Sequence, residues 1–133
     1  IDIDAKNTYI FNNIFYVKQG AIGRKQVNIK NHGTDFVVSH NLYYGFVASR
    51  FMGSDLNALK ETPQFYKRKH GSDQGFQLNK GSAAIGAGTL RSVPPIPGAG
   101  QGIFKNVSKY PTVDYYGEAL DMKKPSIGAS GVK

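Results

Sequence analysis

The chain has 133 residues, enough for one domain with a packed core. It contains no Cys, which excludes disulfides, thiolate metal sites and a Cys nucleophile. No apolar run reaches the roughly 18 residues of a membrane span, so none is expected. The 17 Lys and Arg outnumber the nine Asp and Glu and give a net charge of +8, which favours an acidic partner.

A hydrophobic sequence built around Asn occurs twice near the start of the chain. It reads FNNIFY over residues 11–16 and SHNLYY over residues 39–44. The spacing of the two copies falls in the range of roughly 20 to 50 residues that is typical of stacked supersecondary units. Because both copies are rich in β-branched and aromatic residues, the pattern predicts short strands.

The Asn in each copy has two predicted roles. Asn enters the left-handed region at low cost and can turn the strand sharply. If the copies stack, Asn13 lies over Asn41 and their amides form a ladder. A shared core is then expected to contain Ile10, Ile14, Val38 and Leu42. The alternative is that the copies are two unrelated strands of a β-sandwich.

After residue 44 the pattern loosens. It predicts a short helical turn over residues 54–60, with Ser54 as its N-cap and Pro63 as the residue that ends it. Further elements are predicted in chain order: a strand, a turn and a small-residue segment within 75–89, a Pro/Gly-rich loop over 90–102, another strand, a turn at Gly117 and a short strand over 126–129.

Five segments in this order resemble the C-terminal coils of right-handed parallel β-helix proteins: NNIFY, SHNLYY, TPQF, FQLNKGSAAIGAGT and VDYYGEALDMKKPSIGA. Thr62 stands where the family usually has an acidic residue, and Ser126 where it has Asp. The resemblance implies an all-β solenoid of few coils with a Pro/Gly-rich insertion. Residues 1–133 are therefore interpreted as a single β-helix domain or as the C-terminal fragment of a longer β-helix.

The resemblance also implies a function. Such proteins are typically extracellular or periplasmic, and many are polysaccharide lyases or glycoside hydrolases. This chain is expected to cap a carbohydrate-active β-helix that acts on or binds an acidic polysaccharide, with lyase-type β-elimination in the parent protein. The alternative is a non-catalytic carbohydrate-binding or adhesive module. Since the family cleft lies over central coils, no complete active site is expected here, and preceding coils, a partner chain or self-association should cover the open end.

Candidate residues for an acidic glycan follow from its charge. β-Elimination needs a base and a positive group that stabilises the enolate. The substrate-binding candidates are Arg24, Lys25, Arg50, Tyr43, Lys67, Arg68 and His70. For the basic residues the alternative is a solvated surface. Tyr43, Tyr44, Tyr66, Tyr115 and Tyr116 can offer faces to sugar rings, with packing inside the protein as the alternative.

No metal or cofactor is expected from the residues. His32, His40 and His70 lack metal-ligand spacing, and the calcium known in the family would find only isolated carboxylates here. His40 stands in the position of Asn12, which predicts a turn or core role. Nucleic-acid binding would depend on charge alone, because no recognisable nucleic-acid module is present.

Overall fold

The computed structural model describes residues 2–3, 6, 8–18, 20, 26–31, 33–66, 73–90, 101–102, 105 and 111–130. Its elements are β1 (Asp2–Ile3), β2 (Tyr9–Phe11), β3 (Ile14–Val17), β4 (Lys30–Asn31), β5 (Val37–Ser39), β6 (Leu42–Gly45), α1 (Ser49–Gly53) and a 3₁₀ helix at Asp73–Phe76. Over these residues the chain is β-rich with small parallel sheets and no closed barrel, which agrees with the expected all-β class.

The two Asn-containing copies pair as parallel strands. β1 pairs with β4, β2 with β5 and β3 with β6, always between residues 28 apart. The predicted alignment of Ile14 with Leu42 is confirmed. The chain then passes these strands again, because Leu42 also forms a parallel bridge with Leu59. Parallel pairing of this kind needs long connections between the paired strands.

The sharp turn and the amide ladder fall on different residues, which corrects the prediction. Asn12 and His40 have φ values of 59° and 53°; Asn12 turns the chain between β2 and β3, and His40 turns it between β5 and β6. Asn13 and Asn41, one position later, use their side chains for the ladder. His40 has the predicted turn role, and its Nδ1 lies 2.7 Å from Ser39 Oγ.

Among the described residues the core consists of two clusters rather than one. The first is centred on Val38, Tyr43, Val47 and Phe51, and the second on Leu42, Leu78, Ala84 and Ile127. Ile10 packs with the first cluster and Ile14 with the second. Leu42 and Tyr43 are successive residues of β6 and therefore point to opposite faces of the strand, Leu42 into the second cluster and Tyr43 into the first. The expected shared core of Ile10, Ile14, Val38 and Leu42 is thus wrong, because Ile10 and Val38 belong to the first cluster and Ile14 and Leu42 to the second.

The predicted helix is displaced toward the N-terminus. α1 ends directly before Ser54, the residue predicted to cap the start of the helix. Ser54 Oγ donates to the carbonyl oxygen of Phe51 at 2.6 Å. Ser54 thus closes the helix instead of opening it. The physical reason is the burial of Phe51, which is 0% exposed and packs in the first cluster.

The C-terminal segment packs against the first strands. Ile127 is fully buried, and the Gly128 amide donates to the Asn12 carbonyl oxygen at 2.8 Å. Residues 127–129 are bends, so the predicted short strand over 126–129 is wrong. The turn at Gly117 is present, with φ of 84° and an antiparallel bridge between Val113 and Ala119. Most of the Pro/Gly-rich loop lies outside the described residues.

Within the described part of the chain, no helix is long and apolar enough to cross a bilayer.

Candidate functional site

A ladder of polar side chains crosses the stacked strands. Asn41 is 0% exposed, and its Oδ1 accepts hydrogen bonds from the backbone N–H of Asn13 at 2.9 Å and from Asn13 Nδ2 at 3.1 Å. Asn41 Nδ2 in turn donates to the carbonyl oxygens of Ile10 and Ser39. Each amide group thus connects its own strand with the neighbouring one, and the predicted contact between Asn13 and Asn41 is confirmed.

Asp55 forms the last rung. Its Oδ2 accepts from the backbone N–H of Asn41 at 3.0 Å, from Asn41 Nδ2 at 2.7 Å and from the Tyr43 hydroxyl at 3.0 Å. This repeats the contact of Asn13 with Asn41. A carboxylate has no hydrogen to donate, so the ladder ends at Asp55. Burial, and next the charge of Asp55, raise the pKa of Tyr43 above its usual range.

The opposite end of the ladder is open. Asn13 is exposed, and within the described residues no donor reaches its Oδ1. The Asn13 carbonyl oxygen accepts from the Leu42 N–H at 2.9 Å. Because backbone groups alternate in direction along a strand, the N–H and C=O of Ile14 then point away from β6. The outer edge of β3 therefore carries both side-chain and backbone hydrogen-bonding groups.

A groove of about 600 Å³ follows this edge. We call it the β3 groove; it is lined by Asn12, Asn13, Ile14, Phe15, Tyr16, Phe65, Phe76, Gly128 and Ala129. A second cavity of about 280 Å³, the aromatic pocket, is lined by Phe76, Tyr115, Tyr116, Ala129 and Ser130. The two cavities share Phe76 and Ala129 and so adjoin each other.

The aromatic pocket presents ring faces to solvent. Phe76 is 58% exposed and Tyr115 is 70% exposed. Tyr115 and Tyr116 pack edge to face, with their centroids 5.2 Å apart, and Phe76 packs the same way on Phe65 at 5.7 Å. These contacts hold the rings in place while leaving part of their surface open. Fixed aromatic surface of this kind suits the apolar face of a ring-shaped ligand.

Two of the described carboxylates outside the ladder, those of Asp114 and Asp121, stabilise turns. Asp114 Oδ1 accepts from the amides of Tyr116 at 2.8 Å and Glu118 at 2.9 Å. Asp121 Oδ1 accepts from the amides of Lys123 and Lys124, and these hydrogen bonds hold the pKa of Asp121 below its usual value. Among the described residues, no three His, Asp or Glu side chains converge as a metal site would require.

Two of the predicted substrate-binding residues lie in the described part of the chain. Tyr43 is 2% exposed, stacked on Phe15 at 5.3 Å and packed edge to face on Phe51, also at 5.3 Å. It has no free face for a sugar ring, so the packing alternative describes it. Arg50 is exposed on α1. The other candidates lie outside the described residues: Arg24, Lys25, Lys67, Arg68 and His70.

Sequence reasoning missed Phe76 as a surface residue and Asp55 as a rung. Phe76 belongs to the FQL segment, where hydrophobicity favours burial, and only its position after Gly75 gave a signal for a turn. Asp55 lies in SDLN, where its carboxylate is isolated in the sequence from other acidic side chains and gives no signal for a rung.

Comparison with known protein families found no matching family model, and comparison with curated proteins found no similar sequence. The β-helix resemblance therefore stays a prediction, and function has to be argued from the geometry.

Proposed function

We propose that this chain forms the last windings of a secreted right-handed parallel β-helix protein, extracellular or periplasmic, and binds an acidic polysaccharide at the aromatic pocket. The observation that carries the binding proposal is the exposure of Phe76 and Tyr115 beside a cavity of about 280 Å³. The net charge of +8 supplies the attraction for an anionic polymer.

The β-helix part of the proposal is supported by the pairing of the strands. Three parallel pairs share one offset of 28 residues, and the chain returns to Val38 and Leu42 through parallel bridges to Asp55 and Leu59. Stacked parallel strands joined by an Asn ladder with a buried central rung are what successive windings of one chain produce. An unrelated pair of sandwich strands would not repeat one register at three places.

The polysaccharide part is supported by ring faces and charge together. A sugar ring has an apolar face of C–H groups that packs on an aromatic ring, and burying that surface stabilises the complex. Acidic groups of the polymer are attracted by the surplus of Lys and Arg. That attraction between exposed charges weakens as salt is added, whereas stacking on the rings is much less sensitive to salt.

Binding is the contribution we assign to this chain, and β-elimination the contribution we assign to a parent protein. Asp55, Asp114 and Asp121 are occupied in the ladder and in turns. A base and a cationic group for elimination would have to come from other windings or from the basic candidates. The alternative function is a non-catalytic binding or adhesive module, which uses the same pocket without any reaction.

Affinity electrophoresis through gels containing alginate, polygalacturonate or a glycosaminoglycan tests the proposal, with a neutral glucan for comparison. We expect retardation in one of the acidic gels, decreasing with salt, and a loss of most of it in Phe76→Ala and Tyr115→Ala. Leu56→Ala is the matched control, because Leu56 is an 88% exposed apolar residue that lines neither cavity.

Equal retardation of both aromatic variants and the wild-type chain would contradict a role for the aromatic pocket. Release of unsaturated sugars by the chain on its own would move the catalytic step from the parent to this chain.

A further inference from the structure

We infer that a third cavity binds a carboxylate-bearing sugar ring of the same glycan, which narrows the acidic polysaccharide to a polyuronate rather than a sulfated polymer. We call it the Lys124 cavity. It has a volume of about 440 Å³, and its lining includes Ile85, Gly86, Leu120, Asp121, Lys124 and Ser126. The inference rests on the proposed function and deepens it, because the aromatic pocket supplies stacking on a ring and this cavity supplies recognition of charge and hydroxyl groups.

The cation of the cavity is Lys124. Its aliphatic stem lies over Gly86, since a Cβ added to that glycine would lie 3.6 Å from Lys124 Cβ and 3.9 Å from Lys124 Cδ. Lys124 is exposed, and within the described residues its ammonium group has no hydrogen bond or ion pair. Hydrogen bonds between an ammonium group and a carboxylate are stronger than neutral ones. Lys124 can therefore hold a carboxylate of the ligand.

The acceptor of the cavity is Asp121. The turn uses only one of its oxygens, because Oδ1 accepts from the N–H groups of Lys123 at 2.8 Å and of Lys124 at 3.0 Å. These hydrogen bonds lower the pKa of Asp121, so the carboxyl group is charged at neutral pH. Among the residues that the structure describes, no donor reaches Oδ2. That oxygen can accept hydrogen bonds from sugar hydroxyl groups.

Ser126 adds a donor to the cavity. Its Oγ accepts from the Gly86 N–H at 3.3 Å, which leaves the hydroxyl hydrogen for a ligand oxygen. The cavity thus presents one positive charge, one negative charge and one hydroxyl group. A ring with a single carboxylate and several hydroxyl groups matches this set. A densely sulfated ring would instead bring further negative charge next to Asp121.

The Lys124 cavity lies beside the aromatic pocket along two stretches of chain. In the first, Ser126 lines the cavity and Ala129 lines the pocket, and three steps along the chain separate their Cα atoms by at most about 11 Å. In the second, Leu120 lines the cavity and Tyr115 lines the pocket. The Tyr115 amide donates to the Ala129 carbonyl oxygen at 2.9 Å and holds the two stretches together. One short glycan chain can therefore contact both cavities.

Substitution of Lys124 tests the inference, with its neighbour as the matched control. Calorimetry measures binding of galacturonate and mannuronate pentamers to the wild-type chain, Lys124→Gln and Lys123→Gln. Both variants lose one positive charge, but Lys123 does not line the cavity. We expect one pentamer to bind at least about tenfold more weakly to Lys124→Gln, as loss of a hydrogen bond between charged groups implies. The change in Lys123→Gln should stay below about twofold.

The fully methyl-esterified form of the bound pentamer isolates the contact with the carboxylate. Esterification should weaken binding to the wild-type chain about as much as Lys124→Gln does, and should weaken binding to Lys124→Gln itself much less. A sulfated dextran oligomer of the same length should bind the wild-type chain more weakly than the uronate. Equal losses in Lys124→Gln and Lys123→Gln, or stronger binding of the sulfated oligomer, would overturn the inference.

Failure of this inference can be told apart from failure of the proposed function. If Phe76→Ala and Tyr115→Ala lose glycan binding while Lys124→Gln behaves like Lys123→Gln, the aromatic pocket stands and the Lys124 cavity does not. If Lys124→Gln loses uronate binding while both aromatic variants keep it, the pocket proposal fails and this inference stands. Absence of uronate binding by a chain that is still retarded by a sulfated glycan would refute the inference alone.

Discussion

Replacing Asn41 by Ala tests the ladder at its buried centre. The substitution removes the Oδ1 that accepts two hydrogen bonds from Asn13, and the Nδ2 that donates to Ile10, Ser39 and Asp55. Because Asn41 is 0% exposed, water cannot readily replace these partners.

The magnitude follows from the groups left without partners. A neutral hydrogen bond contributes about 1 kcal/mol and one to a charged group about 1.5–3 kcal/mol. Asp55 Oδ2 keeps the Asn41 N–H and the Tyr43 hydroxyl, so its loss is partial. We expect Asn41→Ala to lower the free energy of unfolding by about 3–5 kcal/mol. Asn13→Ala, at the exposed end, should cost about 1 kcal/mol.

Urea unfolding followed by tyrosine near-ultraviolet circular dichroism measures both values by linear extrapolation. The comparison uses the same amide deletion at two positions, so differences in helix or strand propensity largely cancel. If the two variants differ by less than about 0.5 kcal/mol, the usual error of such comparisons, the ladder does not stabilise the fold in the way described.

Three further predictions concern single residues. Gly45→Ala should lower the unfolding free energy by about 3 kcal/mol or more, because Gly45 has a φ of 86° and a Cβ there would collide with a carbonyl oxygen of β3. In the control variant Gly53→Ala the new Cβ meets open space, so the unfolding free energy should change by less than about 1 kcal/mol. Equal urea midpoints for the two variants would contradict this prediction. The raised pKa of Tyr43 means that its contribution is complete below about pH 10 and is lost as pH rises further, so thermal melts of Tyr43→Phe should decline less than wild type between about pH 9 and about pH 11. The Asp121 carboxyl should titrate by NMR below the ordinary range for Asp, and a normal titration would show that the two backbone hydrogen bonds do not persist in solution.

The stacking of the strands could be predicted from the sequence because similar residue types recur at one fixed spacing. Asn13 and Asn41 lie in the same place within two hydrophobic segments, and Ile14 and Leu42 follow them. Similar side chains at one fixed offset indicate similar backbone positions. Burial of aromatic residues in strands is also the usual outcome, and Tyr43 follows it.

The third rung could not be predicted in the same way. The step from Asn41 to Asp55 is half as long as the step from Asn13 to Asn41, and a carboxylate replaces the amide, so neither spacing nor residue type repeats. The helix was predicted too late in the chain because Ser is favourable before a helix and is equally able to donate to the last carbonyls of one, as Ser54 does. Exposure of Phe76 depends on what the rest of the chain leaves uncovered, and hydrophobicity of one residue carries no information about that.

The unequal steps between stacked residues have a consequence for how such a chain can change in length. The stretch of chain from Ile14 to Leu42 is much longer than the stretch from Leu42 to Leu59, yet Leu42 pairs in parallel with both partners. The difference in length is thus accommodated in the connections, while the polar rungs stay aligned. Insertions and deletions between rungs should be far better tolerated than substitutions at them, which makes the connections the natural sites for attaching tags or new binding loops.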